Sequence, residues 1–301
     1  MAEVELYELH DRPALSAPVT LMVLEGWIDA GQAATTAVQT LLSTLDTFPI
    51  ATFDADALLD HRARRPIMHL VDGVNTGLSW PGLELRGGTD LDGNDILLLV
   101  GAEPDHMWRK FVDVTVDLLM SFGTRMLVGL GAYPATVPHT RPTVMSVTSS
   151  SDSLAAASGL LRGSLDVPAG TQAAIEYSAG ENGLPAIGLW AQVPHYVSAE
   201  PTPYPAASMA LIENASRVAG LRLPTGDLGS DATRTRHRID AAMAANDEHM
   251  QMLHMLEQRH DQFVAESAAA AGDHMPTGPL PTADELADEV ERYLREHGKD
   301  R

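Results

Sequence analysis

A chain of 301 residues, 45% of them hydrophobic, has enough apolar side chain for one large domain or two modest ones. It has no run of 18 apolar residues, which excludes a transmembrane helix, and its acidic start, Met1 to Glu5, lacks the basic and apolar regions of a signal peptide, so a cytoplasmic protein is expected. The absence of cysteine excludes disulfides, thiolate catalysis and Cys-ligated zinc, while a net charge of −21 argues against nucleic acid and anionic membranes as partners.

Val19 to Leu24 has the unbroken apolar character of a buried strand. Glu25-Gly26-Trp27-Ile28-Asp29-Ala30-Gly31 follows as a turn. Gln32 to Leu45 is then expected to be a helix, with Ala33, Ala37, Val38, Leu41 and Leu45 on one face and Asp29 placed to cap it. Arg86 to Asn94, with Gly87-Gly88 and Asp92-Gly93, suggests turns around a short edge strand. Ile96 to Val100 is a second buried strand, and a helix from about Pro104 to Phe122 follows it. Met126 to Leu130, Val144 to Thr148 and Ala186 to Val193 are further strands, and Tyr204 to Ala219 is an amphipathic helix. Apolar strands alternating with helices predict an α/β fold: a three-layer domain over 1–222 with a mainly parallel or mixed sheet.

Beyond Gly220 the pattern becomes helical. Residues 223–266 are expected to hold one long helix from Asp231, straight or kinked. Ile239, Met243, Asn246, Met250 and Leu253 recur at 4-3-4-3 spacing, which suits either a coiled-coil seam or packing on the helix's own domain. Residues 267–281 are rich in Ala, Gly and Pro and are expected to form a flexible linker. Thr282 to His297 is expected to close the chain as a helix that opens with the capping box Thr282-Ala283-Asp284-Glu285.

The sequence has no P-loop, no dinucleotide-binding glycine pattern, no His-Glu-x-x-His and no nucleophile elbow. His249 and His254 are five apart, on different faces of a helix, and make a poor metal pair. No cofactor and no metal are expected. Attention therefore falls on the loops that follow successive strands, because in a parallel sheet these share one rim, where α/β proteins place ligands. The free amides at the start of the first helix could hold an anion, unless Asp29 occupies them as a cap. In Pro138-His139-Thr140-Arg141-Pro142 two prolines hold His139 and Arg141 in extended geometry. That pair could bind a carboxylate or phosphate with His139 as acid or base, or Arg141 could pair with an acid of the chain itself. Asp60 to Pro66 is the densest basic cluster. The candidate ligand or contact residues are Glu25, Trp27, Asp29, Arg64, Arg65, Glu103, His139, Arg141, His195 and Tyr204.

The ordered set Glu25 to Gly31, Asp60 to Pro66, Gly101 to Asp105, Gly129 to Pro134, Pro138 to Pro142, Trp190 to Tyr196, Tyr204 to Ala207 and Leu223 to Leu228 resembles the proteasome assembly chaperone 2 family in its actinobacterial form. The likeness extends roughly to Phe263. It implies a sheet flanked by helices, like that of nucleoside phosphorylases and hydrolases. It also implies a homo-oligomer, with a trimer favoured, and proteasome subunits as possible partners. Eukaryotic members of the family grip the proteasome through a hydrophobic-Tyr-type tail, and the ending Glu296 to Arg301 departs from that pattern. Two functions are therefore expected to compete: a chaperone-like interaction protein, and a phosphorylase-like enzyme or small-anion binder that uses the rim loops.

Overall fold

The computed structural model describes residues 5–198 and 202–271, with side chains described to 266. The chain opens with β1 (Tyr7–Leu9) and β2 (Val19–Glu25), then passes through a single 3-10 turn (Ala30–Gln32) into α1 (Ala33–Thr44). β3 (Thr47–Phe53) and α2 (Ala55–Leu58) lead to a hairpin of β4 (Ile67–Val71) and β5 (Val74–Ser79). β6 (Leu83–Thr89), β7 (Asp95–Ala102), α3 (Trp108–Ser121), β8 (Met126–Ala135), β9 (Met145–Ser149), α4 (Asp152–Ser158) and α5 (Thr171–Glu181) come next. The chain continues through β10 (Ala186–Pro194), α6 (His195–Ser198), α7 (Pro205–Ala219), α8 (Leu228–Ala244) and α9 (Asp247–Ala271).

Eight strands form one mixed sheet in the order β1-β3-β6-β7-β2-β8-β10-β9. Its centre is parallel: β2 lies between β7 and β8, and β10 runs beside β8. The wings are antiparallel, with β1, β3 and β6 on one side and β9 on the other. Alternate side chains of a strand point to opposite faces, and β2 shows this directly. Val19, Leu21 and Val23 join a core with α1, α7, α8 and α9, where Leu41, Leu211, Ile239 and Leu253 are buried. Met22 faces the other way and joins Leu97 and Leu99 under α3 and α5, with Phe111, Leu119 and Ile175. The result is the expected three-layer α/β architecture with a helical C-terminal region.

Three expected elements differ from the structure. β6 is an interior strand, antiparallel to both β3 and β7, and not an edge. Gly87 lies within it because Ile50 and Phe48 press on that position, where a Cβ would lie 2.8 and 2.9 Å from their side chains. The helix after β7 begins at Trp108 and not at Pro104, because Met107 adopts a left-handed conformation with φ of 57°. The long C-terminal helix is two helices, broken at Ala245 and Asn246, where the Asn246 side chain accepts from the Glu248 amide at 2.8 Å and caps α9. Ile239, Met243 and Leu253 of the 4-3-4-3 series are buried in the chain's own core, and Asn246 is exposed. α9 continues to Ala271, past the expected helix end at 266. The expected capping box and C-terminal helix lie outside the described residues.

Candidate functional site

The strands of the parallel centre end on one rim, and two groups of polar residues stand there. The first is built on the end of β2. Gly26 turns the chain with φ of 146° directly against the Arg64 guanidinium, leaving no room for a side chain. Arg64 Nη1 donates to the Glu25 carbonyl at 3.1 Å, and its Nε donates to Asp105 Oδ2 at 3.3 Å. The Glu25 carbonyl also receives the Glu103 amide at 2.7 Å. Loss of hydration raises the Glu25 pKa above its ordinary value; Asp29 raises it further, and Arg64 opposes both. The Glu103 carboxylate is buried and accepts from the Thr171 amide at 2.5 Å, which satisfies a free donor in the first turn of α5. Gly170 lies between Glu103 and Trp27, and Trp27 is 55% exposed. Asp29 accepts from the Ala34 and Thr35 amides at 2.8 and 2.9 Å. It therefore caps α1 across the intervening 3-10 turn, and those amides are not left open for an anion. Arg65 is exposed on the neighbouring loop.

The second group is built on the loop between β8 and β9. His139 has lost its contact with solvent. Its backbone amide donates to the Tyr196 hydroxyl at 2.8 Å, and its Nδ1 lies 2.8 Å from the same oxygen. Nε2 lies 3.0 Å from Asp240 on α8. The arrangement that satisfies every atom has the Tyr196 O–H donating to Nδ1 and Nε2–H donating to Asp240, which is a neutral imidazole. Burial lowers the His139 pKa, an effect that the bond to Asp240 opposes. Thr140 donates to Glu257 at 2.6 Å. Arg141 grips Asp261 with two bonds of 2.8 Å and reaches Glu257 at 3.2 Å. Three consecutive residues thus fasten this loop to α8 and α9. The Arg141 charge sits between two carboxylates of its own chain, so Arg141 belongs to an internal pair, the second of the two readings the sequence allowed. His195 stacks edge-on against Tyr196 with ring centroids 5.2 Å apart, and its Nδ1 is buried with no hydrogen-bond partner.

The structure therefore gathers Glu25, Trp27, Asp29, Arg64 and Glu103 in one group and His139, Arg141 and His195 in another. Their direct partners differ. Tyr204 stands between the groups. Its amide donates to the Gly31 carbonyl at 2.8 Å, and a Cβ on Gly31 would lie 2.7 Å from its own Cβ. Burial pushes its phenol up to about 12, with Arg236 opposing. Among the described residues no group of three His, Cys, Asp or Glu could hold a metal ion.

The PAC2 family model matches residues 23–243, which span both groups. The chain belongs to the PAC2 family. A PAC2 chain of known structure from Streptomyces avermitilis is 32% identical, with a TM-score of 0.71 over 78% of this chain and 99% of that one. A Mycobacterium tuberculosis protein of unknown function, Rv2714, is 34% identical with a TM-score of 0.81, covering 88% of this chain and 94% of that one. The Mycobacterium tuberculosis proteasome-assembly chaperone homologue Rv2125 is 32% identical with a TM-score of 0.71, covering 78% and 99%. No curated protein matches.

Sequence reasoning missed a third set of polar residues in this PAC2 chain, on the α5 face of the sheet. Gln172 packs over Gly129 and Glu176 over Gly188, one helical turn apart. Glu176 accepts from Thr148 at 2.9 Å, and Thr148 receives the Trp190 indole N–H at 3.1 Å. Burial raises the Glu176 pKa to about 7, with the Thr148 bond opposing. Gln172 Nε2 and Thr171 Oγ1 are buried without a partner. On the same face Tyr133 bonds Ser146 and Gln192, each at 3.0 Å. The signal was present as a period of two: Gly129, Gly131 and Tyr133 in β8, and Gly188, Trp190 and Gln192 in β10. Glycines that alternate with apolar residues mark a sheet face where another element comes close.

Proposed function

We propose that this PAC2 chain is a cytoplasmic, chaperone-like interaction protein that serves proteasome assembly or its regulation, and that it works as a homo-oligomer, in our reading a trimer. Kinship supports the reading, since a relative at 32% identity is described as a proteasome-assembly chaperone homologue. The observation that carries it is the state of the rim. Arg141 is neutralised by Asp261 and Glu257, Asp29 is committed to the start of α1, and Glu103 is committed to α5. The chemically able groups are spent on internal ties, while Trp27 and the β4–β5 hairpin carry apolar surface into solvent. Such a rim suits protein contact better than turnover of a small anion. The charge of −21 agrees with a partner that is neither nucleic acid nor membrane.

The test is recovery of the chain, tagged and at native level, from its own cells. We expect proteasome subunits to co-purify with it and to be released by high salt. Repeated recovery without them would count against the reading. In a thermal-shift screen, phosphate, nucleosides and nucleotides are expected to leave the melting temperature unchanged. A stabilisation that His139→Ala abolishes would favour the phosphorylase-like or anion-binding alternative.

A further inference from the structure

The α5 face of the sheet has an open corner where β8, β10 and the edge strand β9 run toward the rim. Gly129 and Gly188 stand opposite each other on β8 and β10, and Gln172 and Glu176 of α5 fill the space above them. The next pair on the same face is Gly131 and Trp190, followed by Tyr133 and Gln192. The six-membered ring of Trp190 lies across Gly131, a position with no room for a side chain of its own. Trp190 and Tyr133 belong to neither hydrophobic core, and both are half-buried. Tyr133 is held by Ser146 of β9 and by Gln192. The corner is therefore an aromatic floor with a fixed polar rim.

Its chemistry is set by Glu176. Three polar atoms from three elements converge over Gly188: Thr148 Oγ1, Glu176 Oε2 and Trp190 Nε1. The indole N–H donates to Thr148, and the Thr148 hydroxyl donates to the carboxylate. Thr148 is exposed on the edge strand, so the carboxyl lies next to solvent although Glu176 itself is 7% exposed. Its other oxygen, Oε1, has no partner among the described residues and is not sealed from solvent. Beside it the Gln172 amide nitrogen is buried without a partner, and a half-turn of that amide presents its oxygen instead. No cation of the chain serves this carboxyl. From Val144 to Pro194 four acids stand with a single arginine, and Arg162 is paired with Asp152. A carboxyl that burial holds near neutrality is stabilised in its ionised form by a cation brought from outside. Next to an indole ring the cation that fits is a guanidinium. It is planar and weakly hydrated, and it can lie on the ring while its N–H groups reach carboxylate and amide oxygens. An ammonium group is a strongly hydrated point charge and gains less from the ring.

We propose that this corner is a socket for an arginine side chain of a basic protein partner, whose guanidinium lies on Trp190 and pairs with Glu176. The inference rests on the interaction-protein reading above and names the chemistry of the partner. The probe is the peptide acetyl-Gly-Arg-Gly-amide, titrated into the full chain while the indole N–H signals are followed by nuclear magnetic resonance. Trp190→Phe identifies the Trp190 signal among those of the four tryptophans. The arginine peptide shifts that signal to saturation, and the same peptide with citrulline, which keeps the shape and lacks the charge, leaves it in place. Glu176→Gln weakens binding by about tenfold or more, since it removes one partner of a desolvated charge pair. Only the ionised carboxyl is competent, so binding to wild type is about tenfold weaker at pH 6 than at pH 8. The variant loses that pH dependence, which a merely structural role of Glu176 would not produce. A Trp190 signal that stays in place, that moves equally with citrulline, or that moves equally in Glu176→Gln overturns the socket. Peptide binding in a chain that never recovers proteasome subunits overturns the proteasome reading and leaves the socket standing. Subunits recovered alike by wild type and Glu176→Gln, with no peptide binding, overturn the socket and leave that reading standing.

Discussion

The loop 138–142 and helix α5 both bury ionisable groups against the sheet, and they treat the charge in opposite ways. In the loop each buried or charged group has a partner: Asp240 accepts from the neutral His139, and Asp261 and Glu257 neutralise Arg141, while Asp240 also lies 3.7 Å from Arg236 of α8. On α5 the Glu176 carboxylate is covered by the sheet and receives one hydroxyl, with no cation. Pairing keeps a group ionised, and burial without pairing drives it toward its neutral form. The loop is therefore a fastening, which holds α8 and α9 to the body at neutral pH. The α5 face is a carboxyl poised near neutrality, kept there by packing.

Breaking the fastening at its apolar end has the largest expected effect. Leu253 of α9 is buried in the same core as β2 and α7. Leu253→Ala removes its methyl groups and leaves a cavity, a loss of about 3 kcal/mol measured by urea unfolding. A variant as stable as wild type would show that α9 adds nothing to the core. The next effect concerns α5 and depends on pH. A carboxyl whose folded pKa is raised stabilises the fold below its unfolded value of 4.5, and that stability is lost as pH rises through about 7. Glu176→Gln keeps an acceptor for Thr148 and removes the charge. It should gain about 3 kcal/mol over wild type at pH 8 and nothing at pH 4.5. A gain that does not change with pH would mean that the carboxylate is not desolvated. The loop has the opposite sign. His139 has a lowered pKa, so its contribution is present above the ordinary histidine value and is lost as pH falls below it. His139→Gln should flatten the fall in stability below the ordinary histidine value, whereas Glu176→Gln should remove a change of opposite sign between pH 4.5 and about 7. A smaller loss, about 1 kcal/mol, is expected when Asp29→Ala leaves two amides of α1 without a cap, and Asp29→Asn should restore most of it.

What the sequence disclosed follows the same division. The parallel centre of the sheet was legible because β2, β7 and β8 are buried on both faces, and unbroken apolar runs announce that. Interior β6 was hidden by Gly87 and Gly88, which look like a turn but are there because Phe48, Ile50 and the backbone of Asp46 leave no space. The β4–β5 hairpin was hidden because its apolar residues are not inside. Its alternation has no polar side, so no amphipathic pattern exists to be found. Asp29 as a cap was legible from its place one turn before a helix. The partners of His139 and Arg141 were not, since Asp240, Glu257 and Asp261 come from helices about a hundred residues away. Glu176 gave no signal of its own either: its neighbours Gly188 and Thr148 lie on two other elements.

Arg141 tests how far the fastening is electrostatic. Its bonds to Asp261 and Glu257 are well formed, but Asp261 is more than half exposed, and ion pairs at a surface add little to global stability. Arg141→Met should therefore leave the midpoint of urea unfolding nearly where it is, the smallest effect of the series. Its consequence is local. Without the guanidinium, Glu257 and Asp261 face each other one helical turn apart as like charges, and the segment of α9 beyond Glu257 loses its side-chain tie to the loop. Amides from Gln258 to Val264 should exchange faster in the variant, with the amides of β2 and β8 unchanged. High salt should weaken the wild-type protection in the same segment and raise that of the variant slightly, because screening weakens the attraction in the one and the like-charge repulsion in the other. Equal protection in both proteins at low salt would place the hold on α9 in Leu253, Leu256 and the Thr140–Glu257 bond. The paired charges of the loop would then serve to exclude wrong packings of α9, adding nothing to its attachment.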